Sequence, residues 1–345
     1  MKIFKFKSRA NSLKNKTVLI TGGTGSFGKA MAKKLLKDYD LKKLIIFSRD
    51  EFKQYEFENE LSLNGFNNFR FFIGDVRDLE RLKLAFKDVD LVIHAAALKH
   101  VPSSEYNPFE CVNTNIIGAQ NVINASISSG VSKVIALSTD KAANPINLYG
   151  ASKLASDKIF ISANQLSGQN GCKFSVVRYG NVLKSRGSVL NYFMDLLKNN
   201  SAHLPITDER MTRFWITINQ GVEFVLSNLE RMIGGEIFVP KIPSMKIIDM
   251  ARALSSSIKI KYVGIRPGEK IHEVLITQDD SENTFEFDDR YVIKPIYFDK
   301  KKYAKLLKKQ NGNIKFKNVP TGFCYSSDNN NFWLTEDVFL KILNE

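Results

Sequence analysis

The residues best suited to proton chemistry lie in one stretch, STDKAANPINLYGASK, which runs from Ser138 to Lys153. Tyr149 and Lys153 stand at i and i+4, so on a helix both side chains project from one face. A lysine charge lowers the pKa of a nearby phenol, which can then accept a proton from a substrate hydroxyl while hydride leaves its carbon. The pair predicts redox chemistry with a bound cofactor; a coincidental helical pair is the alternative.

A glycine-rich loop, TGGTGSFGKA, separates the apolar run TVLIT from a helical pattern. Its glycines follow the spacing G-x-x-G-x-x-G. Glycines at these positions allow a tight turn, let backbone N–H groups approach a pyrophosphate and pack the helix close to the strand. A dinucleotide site is therefore predicted, although a structural turn would use the same residue type. The loop residues assigned to it are Gly22, Thr24, Gly25, Ser26, Phe27 and Gly28.

The end of the next apolar run, FSRDEFK, indicates which dinucleotide binds. The acidic residue that would bind the ribose 2′-hydroxyl of NAD is missing there. Ser48 and Arg49, with Lys53 one turn later, suit a 2′-phosphate, so NADP is favoured. The alanines after the fourth run could equally reflect tight core packing. Further predicted cofactor contacts are Asp50, Asp75, Val76, Ala95, Ala96, Ala97, Lys99, Leu137, Ser138, Tyr149 and Lys153.

Alternating elements must position these groups. The apolar runs TVLIT, KLIIFS, FRFFIG, DLVIHAAA, KVIALS and FSVVRYGN alternate with amphipathic segments. This rhythm predicts an α/β fold with a Rossmann-type doubly wound parallel sheet, whose ligands lie beyond the carboxyl ends of the strands. The rhythm weakens after residue 182. We therefore predict an NADP-binding domain at 1–182 and about 214–242, and an interleaved substrate-binding lobe at about 183–213 and 243–345.

Composition excludes several classes. The 345 residues are 43% hydrophobic and 25% charged, which is typical of a globular enzyme. The net charge of +14 is scattered without a nucleic-acid-binding motif, so no nucleic-acid partner is expected, and it favours an anionic substrate. Cys111, Cys172 and Cys324 form no pairable framework. With neither a leader nor a long apolar run, a cytoplasmic protein without a membrane partner is expected. The histidines lack metal-ligand spacing, so no metal is expected, and His94 should have a core role.

Together these motifs resemble the extended short-chain dehydrogenase/reductases, and within them the inverting UDP-N-acetylglucosamine 4,6-dehydratases that begin pseudaminic acid synthesis. The resemblance extends from about residue 15 to the C-terminus. A sister group that serves capsular sugars has Met in place of Tyr149, which favours the pseudaminic branch. Lys184 departs from the pattern, because a small residue is expected there. The matching strings are TGGTGSFG, FSRDE, GDVRD, HAAALKHVP, STDKAANPINLYGASK, RYGNV, SRGSV, ITDERMTRFW, GGEIFVPKIPSM, GIRPGEK and YSSDNN.

The resemblance implies catalytic roles for Thr139, Asp140 and Lys141, besides Tyr149 and Lys153. Related sugar-nucleotide dehydratases have Thr-Asp-Glu here, with Asp as acid and Glu as base, so in this chain the base would be an amine. Lys141 would remove the C5 proton while Asp140 protonates the departing 6-hydroxyl. A lysine is a base only when neutral, so we expect desolvation and nearby positive charges to depress its pKa. Alternatively, Lys141 is only a salt-bridge partner of Asp140.

The resemblance also implies substrate contacts. Lys99 would reach both cofactor and substrate, and Asn181 would face the sugar nucleotide. Arg213 and Arg266 would clamp the diphosphate, because guanidinium groups match phosphate oxygens in pairs. Each arginine could instead form a surface ion pair.

The predicted function is NADP-dependent dehydration of UDP-N-acetylglucosamine with C5 inversion, the first step of pseudaminic acid synthesis. The alternatives are a non-inverting dehydratase, a UDP-sugar C4-epimerase and a dinucleotide-sensing regulatory protein. An epimerase would not need Asp140 and Lys141, and a sensor would tolerate loss of Tyr149. In this family the helices near 107–129 and 149–166 pair between subunits, so a homo-oligomer, a dimer or an assembly as large as a hexamer, is expected.

Overall fold

The computed structural model describes residue 6 and residues 13–168, 170–312 and 315–344. The first half repeats strand and helix units, because apolar runs that can be buried on both faces alternate with amphipathic segments. Its strands are β1 (Thr17–Thr21), β2 (Lys43–Ser48), β3 (Phe69–Ile73), β4 (Leu91–His94), β5 (Lys133–Thr139) and β6 (Lys173–Tyr179). Its helices are α1 (Ser26–Asp38), α2 (Glu51–Leu63), α3 (Leu79–Ala85), α4 (Val101–Tyr106), α5 (Pro108–Val112), α6 (Gly118–Ser128) and α7 (Leu148–Leu166).

The second half is less regular, as its weaker patterning predicts. Its strands are β7 (Asn181–Val182), β8 (His203–Ile206), β9 (Thr212–Ile216), β10 (Ile237–Pro240), β11 (Ser244–Lys246), β12 (Lys259–Tyr262), β13 (Val274–Ile276), β14 (Thr284–Glu286), β15 (Arg290–Ile293), β16 (Lys317–Asn318) and β17 (Tyr325–Ser326). Its helices are α8 (Val189–Lys198), α9 (Ile218–Arg231), α10 (Ile247–Leu254), α11 (Lys300–Asn311) and α12 (Glu336–Asn344). Short turns are a π turn at Asn113–Ile117 and 3-10 turns at Asp140–Ala142 and Ser281–Asn283.

Ten strands within the described ranges form one sheet in the order β16-β14-β15-β10-β6-β5-β4-β1-β2-β3. Parallel pairing joins seven neighbouring strands of this sheet, β3, β2, β1, β4, β5, β6 and β10. Antiparallel pairing then adds β15, β14 and β16. The order 3-2-1-4-5-6 is that of a doubly wound nucleotide-binding sheet, where ligands lie at the reversal of winding between β1 and β4. The predicted Rossmann-type α/β fold is confirmed.

Two hydrophobic clusters hold the described residues together. The larger one packs helices on both faces of the sheet. The smaller one joins α8, α10 and α12 to the short strands around β9 through side chains such as Phe193, Trp215 and Phe339. The sequence assigns 243–345 to the substrate lobe, but the segment 284–318 extends the main sheet because β15 pairs with β10. This part of the predicted division is corrected.

The helix expected near 107–129 is present as α5, the π turn and α6. Its apolar residues divide between two environments: Val122 and Ile123 are buried within the chain, whereas Phe109 and Ile117 are exposed. Across the described ranges, no helix combines the length and apolar character required to cross a membrane.

Candidate active site

The glycine loop brings α1 against the end of β1. Gly22 has a φ of 66°, and a Cβ at this position would lie 2.8 Å from the backbone nitrogen of Ala96. A Cβ at Gly28 would lie 2.5 Å from the Cα of Gly23, so neither site admits a side chain. The N-cap residue of α1, Gly25, provides no capping side chain. The first N–H groups of the helix therefore remain available for an anion, and the loop fits a dinucleotide diphosphate.

The other predicted cofactor residues near the loop lie in the loop itself, at the start of α1, directly after β4 or within the last three residues of β5. They are Thr24, Ser26, Phe27, Ala95, Ala96, Ala97, Leu137 and Ser138. The hydroxyl of Ser138 donates to Asp157 at 2.8 Å, so it is engaged within the protein. Contacts of these residues with a cofactor stay predictions.

Three of the residues predicted to contact the adenosine ribose lie at the end of β2: Ser48, Arg49 and Asp50. Ser48 is buried, and its Oγ accepts a hydrogen bond from the Gln54 side chain at 3.0 Å. Asp50 caps α2 by accepting the backbone N–H of Lys53 at 3.0 Å, and its carboxylate also pairs with the ammonium of Lys53. Ser48 and Asp50 are therefore occupied by α2 itself.

Arg49 is the least engaged of the predicted ribose-end groups. Its side chain is 52% exposed, and its Nη1 lies 3.6 Å from Asp75 Oδ2. Arg77 holds the same carboxylate oxygen, with Nη2 at 2.8 Å. Val76, which follows Asp75 in the chain, is buried, and its carbonyl accepts a hydrogen bond from Asn121 at 3.1 Å. Arg49 is thus the cation best placed to meet an anionic group from solvent.

Helix α7 begins at the predicted position and packs against the 3-10 turn after β5. Asn147 caps the helix by accepting the N–H of Gly150 at 2.8 Å. A Cβ on Gly150 would lie 2.3 Å from the carbonyl oxygen of Lys141, so only glycine permits this approach. The absence of a side chain therefore couples the helix that carries Tyr149 and Lys153 to the turn that carries Lys141.

Tyr149 and Lys153 lie one turn apart in α7. Lys153 is only 3% exposed, and burial lowers the pKa of its ammonium. Burial raises the pKa of the Tyr149 phenol to about 12, against the charge of Lys141 and a hydrogen bond with Thr139. The prediction that a neighbouring lysine lowers this pKa below its ordinary value is wrong for the protein without cofactor. The cation that partly offsets burial is Lys141 rather than Lys153.

The 3-10 turn after β5 concentrates charge. Thr139 accepts the backbone N–H of Lys141 at 3.3 Å and donates its hydroxyl to Asp140 Oδ1 at 2.9 Å. The Nζ of Lys141 lies 3.1 Å from Asp140 Oδ1 and 3.0 Å from Glu273 Oε1. The side chains of Asp140 and Glu273 are 1% and 2% exposed. Two buried carboxylates therefore flank one amine.

These contacts set the charge states. Burial would lower the pKa of Lys141, but Asp140 and Glu273 raise it above its ordinary value. The expected depression includes the charge of the oxidised cofactor, so it is absent from the protein without cofactor and stays a prediction for the complex. Burial raises the pKa of Asp140, against the opposing charge of Lys141. Asp140 Oδ2 and Glu273 Oε2 are buried without a hydrogen-bond partner among the described residues, so each has an unused acceptor.

Arg213 does not present its guanidinium to solvent. It is buried, and Nη1 donates to the carbonyls of Thr212 and Ile271 at 2.7 and 2.9 Å. Nη2 donates to the carbonyl of Lys270 at 2.8 Å, and Nε lies 3.8 Å from Glu273. These donors therefore hold the segment that carries Glu273, and a role of Arg213 as a diphosphate clamp stays a prediction.

The remaining predicted substrate residues are solvent-accessible. Lys99 is exposed and donates to the carbonyl of Arg186 at 2.8 Å. Asn181 is half-buried at the start of β7, and Arg266 is exposed between β12 and β13. Their roles stay predictions. Lys184 has a φ of 56°, a left-handed conformation that explains why a small residue is expected there.

The sequence prediction for His94 is confirmed. Its ring Nδ1 lies 2.7 Å from the hydroxyl of Thr21, and the residue is 2% exposed. Burial lowers its pKa to about 3, so the ring is neutral. No group of side chains suited to hold a metal ion occurs in the described part of the chain.

Glu273 is the site residue that sequence reasoning missed. It precedes β13 in the string IHEVLI, and its backbone N–H donates to the hydroxyl of Ser327 at 2.9 Å. Its contact with Lys141 joins distant parts of the chain. The available signal was an acidic residue at the start of a buried strand, directly after the matching string GIRPGEK.

Comparison with known proteins agrees with this architecture. A family model described as "Polysaccharide biosynthesis protein" matches residues 18–295. The chain belongs to this family. The polysaccharide biosynthesis family match covers β1 to β15, and with it the glycine loop, Tyr149, Lys153 and the Asp140, Lys141 and Glu273 cluster.

Relatives cover nearly the whole chain. The UDP-N-acetylglucosamine 4,6-dehydratase (inverting) of Campylobacter jejuni strain 81-176 is 56% identical over 335 residues, covering 95% of this chain and 97% of the relative. A UDP-glucose 4-epimerase of Rickettsia bellii strain OSU 85-389 is 45% identical, covering 77% and 79%. The X-ray structure of Pen from Bacillus thuringiensis has a TM-score of 0.85 and 36% identity, covering 96% and 97%. The resemblance to short-chain dehydrogenase/reductases of this group is confirmed.

Proposed function

We propose that this protein is an NADP-dependent UDP-N-acetylglucosamine 4,6-dehydratase that inverts C5, and that its product enters pseudaminic acid synthesis. The observation that carries the proposal is the hydrogen-bonded pair of the buried Asp140 and the half-buried Lys141 at the end of β5, beside Tyr149. The name of the Campylobacter jejuni relative supports both the substrate and the inversion.

Two sets of residues of this protein would hold the two ends of the cofactor. Gly22, Gly25 and Gly28 would receive the diphosphate at the start of α1, and Arg49 with Lys53 would meet the 2′-phosphate. When bound, NADP supplies oxidation at C4 of the sugar and reduction at C6.

Tyr149 would accept the proton of the 4-hydroxyl. Its pKa of about 12 in the free protein means that the phenol is protonated at rest. The positive charge of Lys153, which has no hydrogen bond within the described residues, would stabilise the phenolate form when substrate and cofactor are bound. Thr139 favours the phenolate when its hydroxyl donates to Tyr149 instead of to Asp140.

The elimination requires a neutral amine and a protonated acid. Transfer of one proton from Lys141 Nζ to Asp140 Oδ1, along their 3.1 Å hydrogen bond, creates both at once without uptake from solvent. The raised pKa of Asp140 favours this transfer, whereas the raised pKa of Lys141 in the free protein opposes it. Lys141 can then remove the C5 proton, which the 4-ketone makes acidic, while Asp140 protonates the departing 6-hydroxyl. A salt bridge at rest and a base during turnover are therefore compatible.

The name of the Rickettsia bellii relative favours a C4-epimerase as the second candidate. An epimerase needs Tyr149 and Lys153, but nothing leaves C6, so two buried carboxylates around Lys141 would have no task. A non-inverting dehydratase would use the same groups and differ in the face of C5 that is reprotonated. A regulatory sensor would need neither Tyr149 nor Lys153.

The test is incubation of the protein and NADP with UDP-N-acetylglucosamine in deuterated water, followed by NMR. Deuterium at C5, loss of the 6-hydroxyl and coupling constants for the inverted ring are expected. An epimerised sugar without deuterium at C5 would contradict the proposal in favour of the second candidate. A dehydrated sugar of unchanged C5 configuration would contradict the inversion alone.

The exposed side chains of Tyr106 and Phe109, together with Ile117, support a homo-oligomer formed through α4, α5 and the π turn. Sedimentation of the purified protein measures this: a dimer or larger assembly is expected, and a monomer at micromolar concentration would contradict it.

A further inference from the structure

Glu273 has no task in the proton transfers above, yet it contacts the proposed base directly. We infer that Glu273 is a positioning residue for the elimination step, which holds the ammonium that forms on Lys141 when the C5 proton is removed. This inference rests on the proposed dehydratase function.

The geometry around Lys141 is that of a clamp. Glu273 Oε1 lies 3.0 Å from Lys141 Nζ, on a carboxylate that is 2% exposed. Its second oxygen has no hydrogen-bond partner among the described residues. Burial of a carboxylate with an unused acceptor costs free energy that a purely structural ion pair would avoid. Glu273 therefore lies where it can hold the ammonium form of Lys141 both at rest and after the C5 proton has moved to it.

The elimination changes charge next to Glu273. The proton of C5 moves to Lys141 Nζ, and the electron pair of the C5–H bond forms the C5–C6 double bond. The C6–O bond breaks with its electron pair on oxygen, which takes the proton of Asp140 and leaves as water. A neutral amine beside Glu273 thus becomes an ammonium, so the carboxylate binds the transition state more strongly than the preceding state, in which Lys141 has given its proton to Asp140.

Neighbouring groups keep Glu273 ionised and fixed. Arg213 Nε and Lys270 Nζ lie 3.8 Å from its two oxygens. Burial opposes ionisation, but Lys141, Arg213 and Lys270 hold its pKa below the ordinary value. The backbone is anchored on both sides, because Ser327 accepts its N–H at 2.9 Å and donates to its carbonyl at 2.8 Å. Glu273 therefore interacts with three cations, Lys141, Arg213 and Lys270, and not with Lys141 alone.

The test compares Glu273→Gln, Glu273→Asp and the control Glu269→Gln. Glu269 lies on the same segment, 4.0 Å from Arg213, and is half-buried, so it matches the environment without contacting Lys141. We expect Glu273→Gln to lower kcat about 100-fold with KM little changed. Glu273→Asp should restore part of the rate, and Glu269→Gln should equal wild type. Substrate-dependent reduction of the cofactor, seen by absorbance, should stay at the wild-type rate in every variant.

The pH profile separates positioning from mere packing. The charges facing this cluster are Asp140, Lys141, Glu273, Arg213 and Lys270. Removing the negative charge of Glu273 makes both members of the pair more acidic, so both limbs of the kcat profile of Glu273→Gln should move to lower pH. Glu273→Asp keeps the charge and should keep the wild-type limbs, which provides the test even if the glutamine variant does not fold.

The outcomes are distinct. Wild-type dehydration together with an unchanged kcat in Glu273→Gln, or an effect on KM alone, overturns this inference and leaves the proposed function intact. A lower kcat with unshifted limbs in the glutamine variant also overturns it, because only packing was lost. A wild-type protein that does not dehydrate UDP-N-acetylglucosamine overturns the proposed function and the inference with it.

Discussion

Two buried charge clusters lie near the end of β5, and they differ in how their charges are matched. In the first, Asp157 accepts hydrogen bonds from Ser138 at 2.8 Å and from Arg178 at 3.3 Å. Arg178 also donates to the carbonyl of Leu275 at 3.2 Å. Within the described residues no buried oxygen of Asp157 lacks a partner. This cluster joins α7, β6 and β13 and satisfies its carboxylate within the protein, although the Nε of Arg178 is buried without a hydrogen-bond partner among the described residues.

The second cluster, formed by Asp140, Lys141 and Glu273, is not balanced in this way. Both carboxylates contact Lys141, and Arg213 and Lys270 lie 3.8 Å from Glu273. One oxygen of each carboxylate is buried without a hydrogen-bond partner in the described structure. Buried polar groups are normally satisfied, so such exceptions require an explanation. The carboxylate of the first cluster has its partners within the protein, so we expect it to stabilise the fold, whereas we expect the unused acceptors of the second cluster to serve groups that arrive with the substrate.

The largest expected effect on stability tests the first cluster. Arg178→Met leaves Asp157 buried without its cation, and we expect the free energy of unfolding to fall by about 3–5 kcal/mol. Urea denaturation measures this change. Asp140→Asn should alter the free energy of unfolding by less than about 1 kcal/mol, because the raised pKa shows that burial already disfavours the ionised form. Equal losses of unfolding free energy in the two variants would contradict the proposed difference between the two clusters.

An intermediate effect is expected where α7 meets the second cluster. In Gly150→Ala the new methyl group would lie 2.3 Å from the Lys141 carbonyl, so the turn must shift. We expect kcat to fall about 100-fold, because small misplacements of catalytic groups have effects of this size. The matched control is Gly221→Ala in α9, where a Cβ would meet only Phe27 at 3.9 Å. Wild-type kcat in Gly150→Ala, with an unchanged circular dichroism spectrum, would show that the turn position does not matter.

The smallest effect concerns the cofactor, away from both clusters. Arg49→Ala removes the exposed cation at the end of β2, and we expect its preference for NADP over NAD to fall about tenfold. Titration of the purified protein with each cofactor gives the two dissociation constants. Arg252→Ala, an exposed arginine of α10, serves as the control. An unchanged preference in Arg49→Ala would remove the basis for proposing NADP.

Local patterns were sufficient to predict the fold and half of the site. The glycine spacing, the alternating strands and the start of α7 all depend on neighbours in sequence, so the positions of Gly22, Tyr149 and Lys153 followed directly. The spacing of apolar residues in the helices and strands also predicted the sheet, which places these three residues at one edge.

Long-range contacts account for what the sequence could not predict. Glu273 approaches Lys141 only because β13 packs beside the turn after β5, and no local pattern encodes this contact. Asp140 and Glu273 together therefore raise the pKa of Lys141 in the protein without cofactor, and local sequence reveals only the first of them. Arg213 was expected to bind phosphate because of its residue type, but its partners are carbonyls supplied by the segment 270–271.

The most direct test of the central claim is Lys141→Met, with UDP-N-acetylglucosamine and NADP in deuterated water. The control is Lys133→Met, which removes another partly buried lysine whose Nζ donates to the carbonyl of Leu229 at 2.8 Å. The account predicts that Lys141→Met shows no deuterium at C5 and no dehydrated product, while the control behaves as wild type. Dehydration by Lys141→Met at the wild-type rate, with deuterium at C5, would contradict it.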